Sequence, residues 1–163
     1  MMKLISSTFE NGAKIDKKHT VEGEDVSPPL SWAGVPAGTK SLALICDDPD
    51  APSPQKPAGD PWVHWILFNI PADVSQLPPG IQRKRAPDEM RGARQGVNSW
   101  TSDNLGYRGP APPPGSGSHR YFFKLYALDS ELDLNAGASK RQLLESMTGH
   151  VLAESQLIGT YER

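Results

Sequence analysis

Three observations predict a mainly β fold. Sixteen prolines and fifteen glycines among 163 residues divide the chain into short segments and leave little room for long helices. Two runs, SLALICDD (41–48) and WVHWILFNI (62–70), are apolar almost throughout and too short for core helices, the texture of strands covered on both faces. A third, HRYFFKLYALD (119–129), alternates: His119, Tyr121, Phe123, Leu125 and Ala127 share one face, with Arg120 and Lys124 on the other.

The remaining elements follow in order. KLISSTF (3–9) reads as a short first strand ending at the Asn11-Gly12 turn, and 13–29 as an irregular connection closing on Pro28-Pro29. LSWAGVPAGT (30–39) reads as a turn-rich link broken by Pro36 and Gly38. Between the second and third strands, 72–118 has little periodicity, and a loop that long in a folded domain is usually functional. It contains the basic run QRKRAPDEMRGAR (82–94), then Trp100, Tyr107 and the proline tract PAPPPGSGS. SKRQLLESMTGH (139–150) predicts one helix, with Ser139 as N-cap, Leu143, Leu144 and Met147 at helical spacing and Gly149 near its end. ESQLIGTYER (154–163) closes the chain as a final strand.

The length predicts a single domain, residues 1–163, burying roughly 70% of its unfolded surface. A net charge of -2 offers no footprint for nucleic acid or an anionic membrane. Cys46 is the only cysteine, so no intramolecular disulfide forms; it reads as a core residue. No run has the length of a signal peptide or a membrane span, which predicts a cytoplasmic protein without stable membrane insertion.

Strand parity makes the first chemical point. Asp48 shares a face with Leu42, Leu44 and Cys46; His64 shares one with Trp62, Ile66 and Phe68; His119 begins the face carrying Tyr121 and Phe123. Polar groups on apolar faces need partners or a ligand, and one economical arrangement joins the Asp48 carboxylate to an imidazole while other N–H groups point at a ligand. The flanks, PDAPSP after Asp48 and GYRGPAPPPGSGS before His119, are stiff and poor in amide donors at proline. Pocket rim and plain surface loop are both consistent with them.

DDPDAP (47–52), WVHW (62–65) and GYRGPAPPPGSGSHRY (106–121) resemble the two signature regions of the phosphatidylethanolamine-binding protein family, most closely its prokaryotic, Raf-kinase-inhibitor-like branch. The resemblance runs through most of the chain. It implies an antiparallel β-sandwich of two sheets with a few short peripheral helices, and a small pocket for phosphate-type or carboxylate groups, phospholipid headgroups included. Carried over by position, the pocket residues are Asp48, His64, His119 and Tyr121, with Asp50, Pro52, Trp62, Gly109, Pro112 and Pro113 as wall and rim. A homodimer is also implied. Two departures stand out: the basic insertion, and Ala111 where related sequences often carry cysteine.

The function expected is therefore non-catalytic binding of a small anionic or phosphorylated ligand, with no cofactor, no metal and no catalytic residue. Asp48 would orient a histidine and favour its imidazolium, so affinity should fall as pH rises through neutrality. The alternative is a metal-dependent or acid–base enzyme using Asp48, His64 and His119, whose residue types suit a two-histidine, one-carboxylate site. Ser118 adjoins His119, but strand neighbours face opposite ways, which disfavours a nucleophilic relay. His19 and His150 lie outside any constellation and are expected at the surface. The kinase-inhibitor resemblance implies a protein partner; Arg83, Lys84, Arg85, Arg91 and Arg94 would supply a docking patch, or merely a solvated loop.

Overall fold

In the computed structural model, which describes residues 1–163, the elements run β1 (Lys3–Ile5), β2 (Leu30–Ala33), β3 (Ser41–Asp48), β4 (Trp62–Pro71), β5 (Gln76–Leu77), β6 (Arg94–Gln95), β7 (His119–Leu128), α1 (Lys140–Met147) and β8 (Val151–Tyr161). The strands form two antiparallel sheets, one ordered β6-β4-β3-β7-β8 and a smaller one ordered β1-β2-β5. The near-continuous apolar texture of 41–48 has its cause here: β3 is central and every one of its residues is buried. One face, carrying Leu42, Leu44 and Cys46, joins a core cluster with Leu4, Leu30, Trp32 and Leu77 of the smaller sheet. The opposite face, carrying Ala43 and Ile45, packs with Leu143 and Met147 of α1.

Two bulges in β4 redirect its side chains. The β3–β4 register passes from Cys46↔Trp65 to Asp47↔Val63, leaving His64 as an extra residue. A bulge puts two successive residues on one side of the sheet. His64 and Trp65 thus both turn toward the face of Cys46 and Tyr121, while Ile66 and Phe68 join the helix side. The predicted grouping of His64 with Ile66 and Phe68 is corrected; only Trp62 stays on its side. The second irregularity falls near Asn69, whose φ of 53° is a left-handed conformation that asparagine tolerates. Its side-chain amide donates to the Leu132 carbonyl and its oxygen accepts the Leu132 N–H, tying the bulge to the chain before α1.

The helix begins with a capping box: Ser139 Oγ accepts the Gln142 N–H, and Gln142 Oε1 accepts the Ser139 N–H. It ends at Met147, two residues before Gly149 at φ 83°, and β8 then starts at Val151, three residues earlier than expected. The segment expected as a link over 30–39 contains β2, because Leu30 and Trp32 alternate inward before Gly34 stops the strand. The first strand stops at Ile5, and Ser6 then donates to the Pro29 carbonyl.

The long stretch 72–118 is pinned at several points. Gln95 accepts from the Trp65 indole N–H and donates to the carbonyls of Gln82 and Lys84. The basic run is largely engaged internally: Arg83 donates to the Tyr107 and Asp25 carbonyls, Arg85 to the Ala136 carbonyl, Arg91 pairs with Asp73 and Lys84 with Asp88. His19, expected at the surface, is buried, with Nδ1 donating to the Val26 carbonyl and Nε2 meeting Thr8 Oγ1 at 3.1 Å. His150 is half-exposed and meets Asp129. No helix is long and apolar enough to cross a membrane.

Candidate functional site

A cavity of about 240 Å³ opens where the end of β3, the start of β4 and the start of β7 meet the proline tract. Asp48, His64, His119 and Tyr121 all line it, with Ala51, Pro52, Trp62, Trp100, Ala111, Pro112 and Pro113 around them. Four residues distributed over three strands are thereby brought together. Asp50 and Gly109, expected in the wall, do not line it. Asp50 is buried and engaged elsewhere, forming a two-pronged pair with Arg120 and accepting its amide N–H, and that pairing holds its carboxyl below the usual range. Gly109 packs behind the rim: its N–H donates to Asp25 Oδ1, and a Cβ there would lie 2.1 Å from the His19 carbonyl oxygen.

Each polar side chain in the cavity has a definite hydrogen-bonding state. Asp48 Oδ1 accepts the Asp50 N–H at 2.7 Å, and Oδ2 meets His119 Nδ1 at 2.7 Å. Burial pushes this carboxyl upward, against the pull of those two bonds. His119 Nε2 meets Ser116 Oγ at 2.9 Å, so neither ring nitrogen of the fully buried His119 is free for a ligand. This corrects the expectation that its second N–H points into the pocket. Ser116, absent from the sequence reading, completes a Ser–His–Asp connectivity that Ser118 does not. It is not among the cavity-lining residues, and its hydroxyl serves to satisfy a buried imidazole.

His64 is bound differently. Its Nδ1 lies 2.6 Å from the Arg108 carbonyl oxygen, which can only accept, so Nδ1 carries the proton. Burial lowers its pKa to about 4, so the ring is neutral at pH 7 and Nε2 is an acceptor without a protein partner. Beside it, at 5.1 Å between ring centroids, stands Tyr121, whose buried hydroxyl has no hydrogen-bond partner. Burial pushes that phenol far above its ordinary range, so it is a donor. The imidazole that Asp48 orients is that of His119, not that of His64.

Trp100 is the main lining residue that sequence reasoning missed. It packs edge-on against both His64 and Trp62, and the Arg108 guanidinium sits 5.4 Å from its ring centre. Its only local signal was an aromatic residue inside a polar loop. The rim is held by the chain end: Arg163 donates to the Pro112 carbonyl, and the Gly115 N–H donates to the Arg163 carbonyl. No group of three or more His, Cys, Asp or Glu side chains is placed to share a metal ion, so the metal-enzyme alternative finds no ligand set. Cys46 is buried in the core, its thiol pushed up by burial.

A family model described as phosphatidylethanolamine-binding protein matches residues 5–162. The chain belongs to the phosphatidylethanolamine-binding protein family. Within that family it is 53% identical over 163 residues to a UPF0098 protein of Methanothermobacter thermautotrophicus, with 99% of each chain covered. A solved phosphatidylethanolamine-binding protein homologue from Chlamydia trachomatis superposes with a TM-score of 0.85 at 43% identity, covering 99% of this chain and 97% of that one. The E. coli protein YbcL, described as a member of the mammalian phosphatidylethanolamine-binding protein family, gives 0.87 at 32% identity, covering 99% and 98%. The family is named for binding rather than for a reaction.

Proposed function

We propose that this protein is a non-catalytic binding protein whose cavity takes the phosphate or carboxylate group of a small ligand, in the manner of a phospholipid headgroup. One observation carries the reading: Tyr121, whose buried hydroxyl has no hydrogen-bond partner, lines the same cavity as His64, whose Nε2 has none. Leaving such a hydroxyl unmet costs about 1–3 kcal/mol, a cost that a bound oxygen atom removes. The apolar rim of Trp62, Trp100, Pro112 and Pro113 suits the less polar part of the same molecule.

The test is isothermal titration of the protein with methyl phosphate at pH 6. Saturable one-to-one binding is expected, weakened about tenfold or more in Tyr121→Phe, the loss that follows from removing a hydrogen bond to a charged group. Unaltered affinity in Tyr121→Phe, with the fold verified by circular dichroism, would overturn the assignment of that hydroxyl.

A further inference from the structure

The cavity has neutral donors for an anion but no cation of its own. Its free donors are the Tyr121 O–H and the indole N–H groups of Trp62 and Trp100, which have no protein partner, unlike those of Trp32 and Trp65. No lysine or arginine side chain lines it, whereas the Asp48 carboxylate does. An anion entering such a place gives up water, and neutral donors return roughly half of what charge-assisted ones would. A negative ligand therefore calls for a positive group at the mouth.

Three cations of β7 and the loop before it are committed elsewhere. Arg108 lies over the Trp100 ring, 3.4 Å from Asp25; Arg120 is taken up by Asp50; Lys124 pairs with the buried Asp47. Arg163 is placed differently. It follows β8 by two residues, and β8 sets Tyr161 opposite His119, so the chain leaves the sheet beside the cavity. Its Nε donates to the carbonyl of Pro112, a lining residue, at 2.7 Å, and its own carbonyl accepts the Gly115 N–H at 3.0 Å. The guanidinium is thus fastened to the rim by one nitrogen. Both terminal amino groups are without a protein partner, and no carboxylate lies within ion-pair distance. The charge is felt inside: the Tyr121 phenol, pushed up by burial, is drawn the other way by Arg163.

Building on the anion-binding reading of this cavity, we infer that Arg163 is a further ligand-binding residue, whose terminal amino groups meet the oxyanion at the mouth while the Tyr121 hydroxyl donates from within. The ligand class is an oxyanion bearing at least one full negative charge, whether phosphodiester, phosphate monoester or carboxylate, in preference to neutral polar molecules. The bond at Nε already restrains the side chain, so recruiting its remaining nitrogen atoms sacrifices little further freedom. A planar guanidinium can serve the rim and the ligand at once, which a single ammonium group does less well.

The experiment is isothermal titration of wild type, Arg163→Gln and Arg163→Lys with dimethyl phosphate at pH 7, between about 50 and 500 mM sodium chloride. This diester keeps one negative charge near neutrality, so titration of the ligand does not enter. Arg163→Gln should bind about tenfold more weakly than wild type at low salt, the worth of a hydrogen bond to a charged group. Its affinity should also respond less to salt, because screening acts on the pairing of charges, and Arg163→Lys should restore the response. Wild-type affinity and salt response in Arg163→Gln overturn the inference. Weakened binding with an unaltered salt response overturns it too, leaving Arg163 as a brace for the proline tract. A wild-type affinity indifferent to salt does the same without any variant. Absence of wild-type binding of both dimethyl phosphate and methyl phosphate overturns the anion-binding reading itself.

Discussion

At the residue scale, His64 shows how a polar group on an apolar strand is accommodated. It is 2% exposed, and its one internal bond consumes Nδ1. Its lowered pKa makes a stability statement whose sign follows from proton counting. Between the ordinary value of 6.5 and about 4, the unfolded chain binds a proton at this histidine that the folded chain refuses. Stability from this group therefore falls as pH drops through that window, by about 3 kcal/mol in all. Asp48 has the opposite sign: its raised carboxyl costs stability at neutral pH, and that cost is relieved as pH falls through its folded-state pKa. Urea denaturation at pH 7 and pH 4.5 should show a smaller acid loss in His64→Gln than in wild type. Equal losses would mean that His64 protonates normally in the folded state.

At the scale of elements, the cavity depends on parts that never touch it. The loop after β6 reaches the rim through Gly109, wedged against the His19 carbonyl, and through Asp25, which accepts the Gly109 N–H. A methyl group at 109 has nowhere to go but into backbone, and such overpacking costs about 1–3 kcal/mol. Gly109→Ala should therefore lower the denaturation midpoint and weaken methyl phosphate binding together, since the displaced loop carries Arg108, the partner of His64. A variant of wild-type stability would show that this approach relaxes freely. Gly109 thus contributes by position rather than by lining, a distinction that its place in a signature stretch could not reveal.

At the scale of the whole molecule, the basic run acts as an internal brace. Arg83 reaches the Tyr107 carbonyl, the Asp25 carbonyl and, at 3.3 Å, the Asp25 carboxylate, joining residues 24 and 58 positions away. Removing that side chain should destabilise the fold by about 1–2 kcal/mol, the worth of its charge-assisted hydrogen bonds. Hydrogen exchange should quicken at the Gly109 amide, which Asp25 accepts. Unchanged exchange in Arg83→Ala would return these residues to the role of a solvated loop. Read as a charge pattern, the run suggested docking or solvation; neither reading anticipated carbonyl acceptors far along the chain, because backbone partners leave no mark in a charge pattern.

Sequence alone determined strands at 41–48, 62–70 and, one residue too long, 119–129, the helix behind Ser139 and the membership of the cavity through Asp48, His64, His119 and Tyr121. Those features are written in local periodicity, in caps and in contiguous signature stretches, which act over a few residues. Tertiary structure decided the hydrogen-bonding partners of the cavity's side chains. The β4 bulge turned His64 away from Ile66, the Arg108 carbonyl 44 positions on assigned its proton, and Asp48 and Ser116 closed both nitrogens of His119. Whether a ring nitrogen donates or accepts depends on the group opposite it, and only folding brings that group near.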